Sequence, residues 1–162
     1  MRKAYILFVS VLFFIFLTGC QSEEIIKKKE KEPLPNHSVF NLDEESIKEL
    51  ENGSLKGTPL KVAKDVVMSD IEEAWGTPHE HHDYEDIQTY SYIIDNQRFV
   101  INEDEMKDIY SVHVELDYTK EQILELMGEP TQAGNIFLYE KEHHVIQFEK
   151  FGDKWRLIIR VK

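Results

Sequence analysis

Polar and apolar positions alternate with a period of two along six stretches of this chain, the signature of half-buried strands. The first three are Ile87 to Ile94 (IQTYSYII), Gln97 to Asn102 (QRFVIN) and Asp108 to Leu116 (DIYSVHVEL). The second three are Asn135 to Lys141 (NIFLYEK), His144 to Lys150 (HVIQFEK) and Trp155 to Val161 (WRLIIRV). Turns at Asp95-Asn96 and Gly152-Asp153, and an acidic turn after Asn102, join them as antiparallel meanders.

Helical spacing replaces alternation in three places. Leu42 to Gly53 (LDEESIKELENG) carries acids in its first turn, sets Ile47 and Leu50 on one face and stops at glycine. Asp65 to Pro78 (DVVMSDIEEAWGTP) aligns without a gap on Asp117 to Pro130 (DYTKEQILELMGEP). The alignment matches Ile71 with Ile123, Glu73 with Glu125, Trp75 with Met127, Gly76 with Gly128 and Pro78 with Pro130. Such a segment buries two apolar residues four apart, exits through a glycine and is barred from continuing by a proline. Ser69 with Glu72, and Thr119 with Gln122, have capping-box spacing; the earlier helix also has an alternative start near Val67.

These elements predict an α+β protein: a tandem repeat of a short helix plus a three-stranded antiparallel meander, with helices packed on one face of the sheets. The repeats run about 54–116 and 117–162 within a single domain, 40–162. The predicted interior takes Tyr90, Tyr92, Ile94, Phe99, Ile101, Tyr110, Val112, Val114, Leu138, Ile146, Phe148, Trp155, Leu157 and Ile159. Arg156, Ile158 and Arg160 are then expected on the open face beside Phe137, Tyr139 and Val145.

The N-terminal stretch changes the picture from fold to address. Residues 1–19 run from Arg2 and Lys3 through an apolar segment, Ala4 to Leu17, as a signal peptide does, and that segment is shorter than the roughly 20 residues a spanning helix needs. "LTGC", Leu17 to Cys20, resembles the lipobox of bacterial lipoproteins. The resemblance implies that Cys20 is alkylated with diacylglycerol and becomes the first residue of a chain held on the outer face of a cell membrane, with a Gram-positive envelope expected. Acyl chains of the palmitate class would then provide the membrane partner, two chains giving firmer anchoring than one. Residues 20–39, rich in Lys and Glu and broken by Pro33 and Pro35, read as a charged flexible tether.

The chain has 31 acidic against 19 basic residues and a formal charge of −12. Loss of residues 1–19 removes Arg2 and Lys3 and no acid, which takes −12 to −14. That field argues against nucleic acid and anionic lipid headgroups as ligands. Cys20 is the one cysteine, so the chain has no intramolecular disulfide, cysteine zinc site or catalytic thiol in its folded body.

The lipobox, the tether, "NGSLKGTPLKVAKDV" leading into "WGTP", a Tyr-rich strand and a second "MGEP" copy together resemble the YjgB-like lipoproteins of Firmicutes, a domain of unknown function. That resemblance covers roughly Gly53 to Val161, and the repeat is also similar to that of the β-lactamase inhibitor protein and of small outer-membrane assembly lipoproteins. What this implies is a docking module and no catalysis, although a single cysteine and shorter repeats set the chain apart from the inhibitor.

Candidate chemistry is sparse. After Pro78 the first copy runs "HEHHDYED", where the second has only "TQAG". His79, His81 and Asp83 would point one way from an extended loop and His82 the other, a ligand set of the type zinc takes; plain solvation is the competing reading. Seven histidines among the acids also suit a pH response. No nucleophile elbow, triad or phosphate loop is present, which argues against an enzyme. Aromatic residues beside arginine suit an interface, so Phe137, Tyr139, Arg156 and Arg160 are the candidate partner-binding set. The expected function is a membrane-anchored extracytoplasmic lipoprotein that binds a protein or peptide; the alternative is a metal-handling or pH-responsive surface lipoprotein using His79, His81, His82 and Asp83.

Overall fold

Asp43 opens the first helix because its carboxylate accepts the Ser46 N–H at 2.7 Å while the Ser46 hydroxyl accepts the Asp43 N–H at 2.6 Å, closing a capping box. The structure, a computed structural model, describes residues 39–63 and 66–162. The signal peptide, Cys20, nearly all of the tether and Asp65 of the first matched segment lie outside the described residues. Helix α1 is Glu44–Glu51. Helix α2 is Met68–Trp75 and helix α3 is Lys120–Met127.

The N-termini of α2 and α3 differ. Thr119 and Gln122 form the expected capping box, with Gln122 N–H donating to Thr119 Oγ1 at 3.2 Å and Thr119 N–H to Gln122 Oε1 at 2.8 Å. The box expected for Ser69 and Glu72 is absent. Helix α2 begins two residues earlier, at Met68, in keeping with the alternative start near Val67, and that N-cap supplies no side-chain hydrogen bond. Met68 is buried, and packing that side chain fixes the start. At the other end the two helices agree. Gly76 (φ 78°, ψ −161°) and Gly128 (φ 75°, ψ −161°) both occupy backbone open to glycine alone, and each donates its N–H four residues back.

Seven strands form one antiparallel sheet: β1 Glu80–Tyr84, β2 Ile87–Ile94, β3 Gln97–Asp104, β4 Ile109–Leu116, β5 Ile136–Glu140, β6 His144–Phe151 and β7 Lys154–Val161. Their order is β1-β2-β3-β4-β7-β6-β5. The mixed α+β class is thus as predicted, with one correction to the strand count: the histidine stretch after Pro78 is not a loop. It pairs with β2 from Glu80↔Ser91 to Tyr84↔Ile87 and gives the first meander a fourth strand.

The chain's last strand, β7, docks against β4, so the two meanders share one interior. Two rows cross it. Tyr92, Phe99, Val114, Leu157, Phe148 and Phe137 lie side by side, as do Tyr90, Ile101, Val112, Ile159, Ile146 and Tyr139. Leu50, Ile71, Trp75 and Ile123 of the helices belong to the same apolar cluster, joined by Phe40, Leu42, Leu55, Leu60 and Val62 from the segments around α1. Trp75 meets Tyr92 edge-on at 5.3 Å and Phe99 at 5.0 Å, whereas its counterpart Met127 is only partly buried. The Tyr92 hydroxyl donates to the Gly76 carbonyl at 3.3 Å, and the Tyr139 hydroxyl donates to the Gly128 carbonyl at 3.0 Å.

Two predicted core positions move out. A bulge at Asn102/Glu103 gives β4 one extra residue, so Ile109 is fully buried and Tyr110 is left half-buried. Leu138 lies on the opposite face of β5 from the cluster, half-buried.

Candidate interaction site

Pairing across the sheet sets Glu80, Ser91, Val100, His113, Ile158, Gln147 and Leu138 in one row on the face opposite the apolar cluster. Ile158 stands at its middle, 8% exposed yet outside the cluster. Its burial comes from neighbours on this face: His113 directly across in β4, Gln147 across in β6, and Arg156 and Arg160 two places away along β7.

The expected set of Phe137, Tyr139, Arg156 and Arg160 does not share a surface. Phe137 (1% exposed) and Tyr139 (5%) are in the core, because β5 pairs Phe137 with Phe148 and Tyr139 with Ile146. Arg156 and Arg160 do lie on the open face. The aromatic partner that joins them is Phe151, whose ring lies 3.5 Å from the Arg156 guanidinium carbon and is 47% exposed. Arg156 also meets Glu149 at 3.4 Å. Phe151 follows Phe148 by three residues on one strand, an odd interval that sends the two rings to opposite faces, and that spacing is visible in the sequence.

All three arginines of the described residues project from this face: Arg98, Arg156 and Arg160. Arg98 holds Glu80 at 3.1 Å. Beside the row runs a chain of hydrogen bonds. Thr89 donates to Asn102 Oδ1 at 2.9 Å, Asn102 Nδ2 donates to the Ser111 hydroxyl at 2.8 Å, and both Asn102 and Ser111 lie 3.3 Å from His113 Nε2. Burial first, and then the charge of Arg156, push the His113 pKa down to about 4, so its imidazole is neutral at physiological pH.

The metal-ligand set expected from the sequence is dispersed. Strand alternation parts the rings: His81 lies flat on Tyr90 (4.6 Å, 3° between planes) and is bonded to Gln88 Oε1 at 2.6 Å. His82 faces Tyr84 at 5.9 Å, and His79 Nδ1 accepts the Ile93 N–H at 3.3 Å. Asp83 sits across from Gln88. Among the described residues no three His, Cys, Asp or Glu side chains come together as a metal site. His144 is buried, with Nε2 2.7 Å from the Leu50 carbonyl at the end of α1. It borders a cleft of about 630 Å³ that also includes Glu51, Lys61, Glu142, His143 and Lys162. A second cleft, about 660 Å³, runs between α3 and the loop before β5, with the Lys120 ammonium 5.4 Å above Phe137. Among the described residues no helix is long and apolar enough to cross a membrane.

Fold and face define an α+β protein built on a single antiparallel sheet, its interior on one side and an arginine-bearing surface on the other. No protein-family profile matches the sequence, and no curated protein matches it. In fold it is similar to the crystal structure of YjgB, a DUF4309 family protein from Bacillus subtilis subsp. subtilis str. 168. The TM-score is 0.57 at 13% identity, over 74% of this chain and 98% of that one. The likeness supports the YjgB-like resemblance at the level of fold.

Proposed function

We propose that this chain is a lipid-anchored extracytoplasmic docking protein, which holds a protein or peptide partner against the sheet face around Phe151, Arg156, Ile158 and Arg160. One observation carries this reading: in a chain of net charge −12, every described arginine is gathered on that face, with an exposed aromatic ring stacked on one of them. Arginine and aromatic side chains are the types that dominate binding energy at interfaces. Arg160 is exposed and has no carboxylate partner among the described residues, so it is open to an acidic group of the partner.

We further infer that the two helix-meander segments descend from one duplicated unit. Supporting this are the matched glycine exits of α2 and α3 and the matched tyrosine bonds to them. The anchor would be Cys20, with residues 1–19 removed.

Crosslinking on intact cells tests the docking face. The Phe151→Ala, Arg156→Ala, Arg160→Ala triple variant is expected to lose at least about nine-tenths of the crosslinked species, each anchor of this kind contributing about 2 kcal/mol. Capture at the wild-type level would reject the face. Cys20→Ala tests the anchor separately: the chain should leave the membrane fraction and cease to incorporate a labelled fatty acid.

A further inference from the structure

The two edges of the sheet are finished differently. Along β5 the outer side is occupied: Gln132 and Leu138 exchange N–H···O bonds at 3.3 and 3.0 Å, and the Glu140 N–H reaches Thr131 Oγ1 at 3.3 Å. Along β1 the outer side has no such cover. Among the described residues nothing pairs with it, and all five side chains are exposed. A strand edge left open is a template for another strand.

We propose that two copies of this chain join through antiparallel pairing of their β1 strands about a twofold axis at His82. The inference does not rest on the docking face above; it concerns the sheet's edge and names a second copy as occupant. In the full-length register, Glu80 of one copy faces Tyr84 of the other, His81 faces Asp83, and His82 faces its own counterpart. Two of the five pairs set a phenol O–H against a carboxylate, two set an imidazole beside one, and no carboxylate faces another. A slip of one residue brings Glu80 opposite Asp83 and turns the second sheet over.

The groups that would meet are already held in place. His81 rests on Tyr90 and is bonded to Gln88, and Glu80 is held by Arg98. Tyr90 in turn donates to Glu103 at 3.0 Å, so the imidazole has a fixed platform. Little side-chain freedom remains to be lost on association. Tyr84 (61% exposed) and Ile87 (37%) flank the edge on one face and gain cover when it is paired. A lysine-rich strand would suit Glu80 and Asp83 but set cations against His81 and Tyr84; a second copy complements four of the five positions. Five residues a side fall well below the roughly 800 Å² per partner of a standard interface, so the dimer is weak and concentration-dependent.

Residues 33–162 form the compact unit that contains every core residue described above, and they contain no cysteine. In this unit, His82→Cys should crosslink on oxidation at least about tenfold faster than Asp83→Cys. Directly opposed residues lie about 4.5–5.5 Å apart at Cα, within disulfide reach, while the residue 83 pair is two positions out of line. In sedimentation equilibrium Asp83→Lys, which sets an ammonium against His81, should weaken self-association at least about tenfold. The substituted side chains are exposed, and circular dichroism checks that the fold is kept. Equal crosslinking of the two cysteine variants, association indifferent to Asp83→Lys, or a monomer at every concentration overturns the proposal. A monomer that instead takes up an oligolysine strand at β1 overturns it in favour of a basic partner.

Discussion

His113 stands in the middle of the open face with its Nε2 3.3 Å from both Asn102 and Ser111, and its low pKa ties the face to stability. Its folded value is about 4, against about 6.5 in an unfolded chain. Between those values the unfolded chain binds more protons, so stability falls as pH drops from about 6.5 towards about 4 and levels off below that. From pH 7 to pH 5 this one residue should withdraw up to about 2 kcal/mol. His113→Gln removes that part, so its urea midpoints at the two pH values should lie closer together than those of the wild type. Tyrosine offers a second residue-scale prediction. Tyr92→Phe and Tyr139→Phe each remove one hydroxyl bond to a helix-ending carbonyl, and each should cost about 1 kcal/mol in urea denaturation. The placement of Tyr139 also shows where residue patterns stop informing. Ile136, Phe137, Leu138 and Tyr139 are all apolar, so alternation carries no phase there, and only pairing with β6 turns Phe137 and Tyr139 inward.

At the scale of elements, the exits of α2 and α3 were legible because Gly-x-Pro has one physical meaning: a backbone that a side chain resists, followed by a residue that cannot extend the helix. Gly128 at φ +75° has open space around its α-carbon, so Gly128→Ala tests backbone strain alone. It should lower stability by about 1–3 kcal/mol, while Gly134→Ala, equally unobstructed and without a positive φ, stays near neutral. Thr119 and Gln122 were legible as a cap for the same local reason. Ser69 and Glu72 were not a cap, because burial of Met68 outweighed the hydroxyl and left Val67, 37% exposed, in the cap position. Val67→Ser should therefore raise the melting temperature, by an amount corresponding to about 1 kcal/mol. Strand β1 lay beyond local reading altogether. "EHHDY" has little strand character of its own, and it is a strand because the outer side of β2 offers a ladder of unpaired backbone groups.

At the scale of the molecule, pairing of β4 with β7 makes one interior from two meanders, and the two tryptophans report on its two ends. Trp75 packs on Tyr92 and Phe99, and Trp155 stacks on Phe137 at 5.2 Å. Phe99→Ala in the first meander and Phe148→Ala in the second should each cost about 3–5 kcal/mol. Each should shift the fluorescence of Trp75, read in a Trp155→Phe background, and of Trp155, read in a Trp75→Phe background, to one common midpoint. The sequence by itself determined the helices, six of the seven strands and the α+β class, since these follow from periods of 2 and 3.6 and from glycine and proline exits, all properties of neighbouring residues. Only the tertiary structure decided which face of β5 is inward, that the histidine stretch is an edge strand with its rings parted, and that Phe151 rather than Phe137 joins the arginines. Those outcomes depend on which strands pair and in what register, a matter of contacts between residues far apart along the chain.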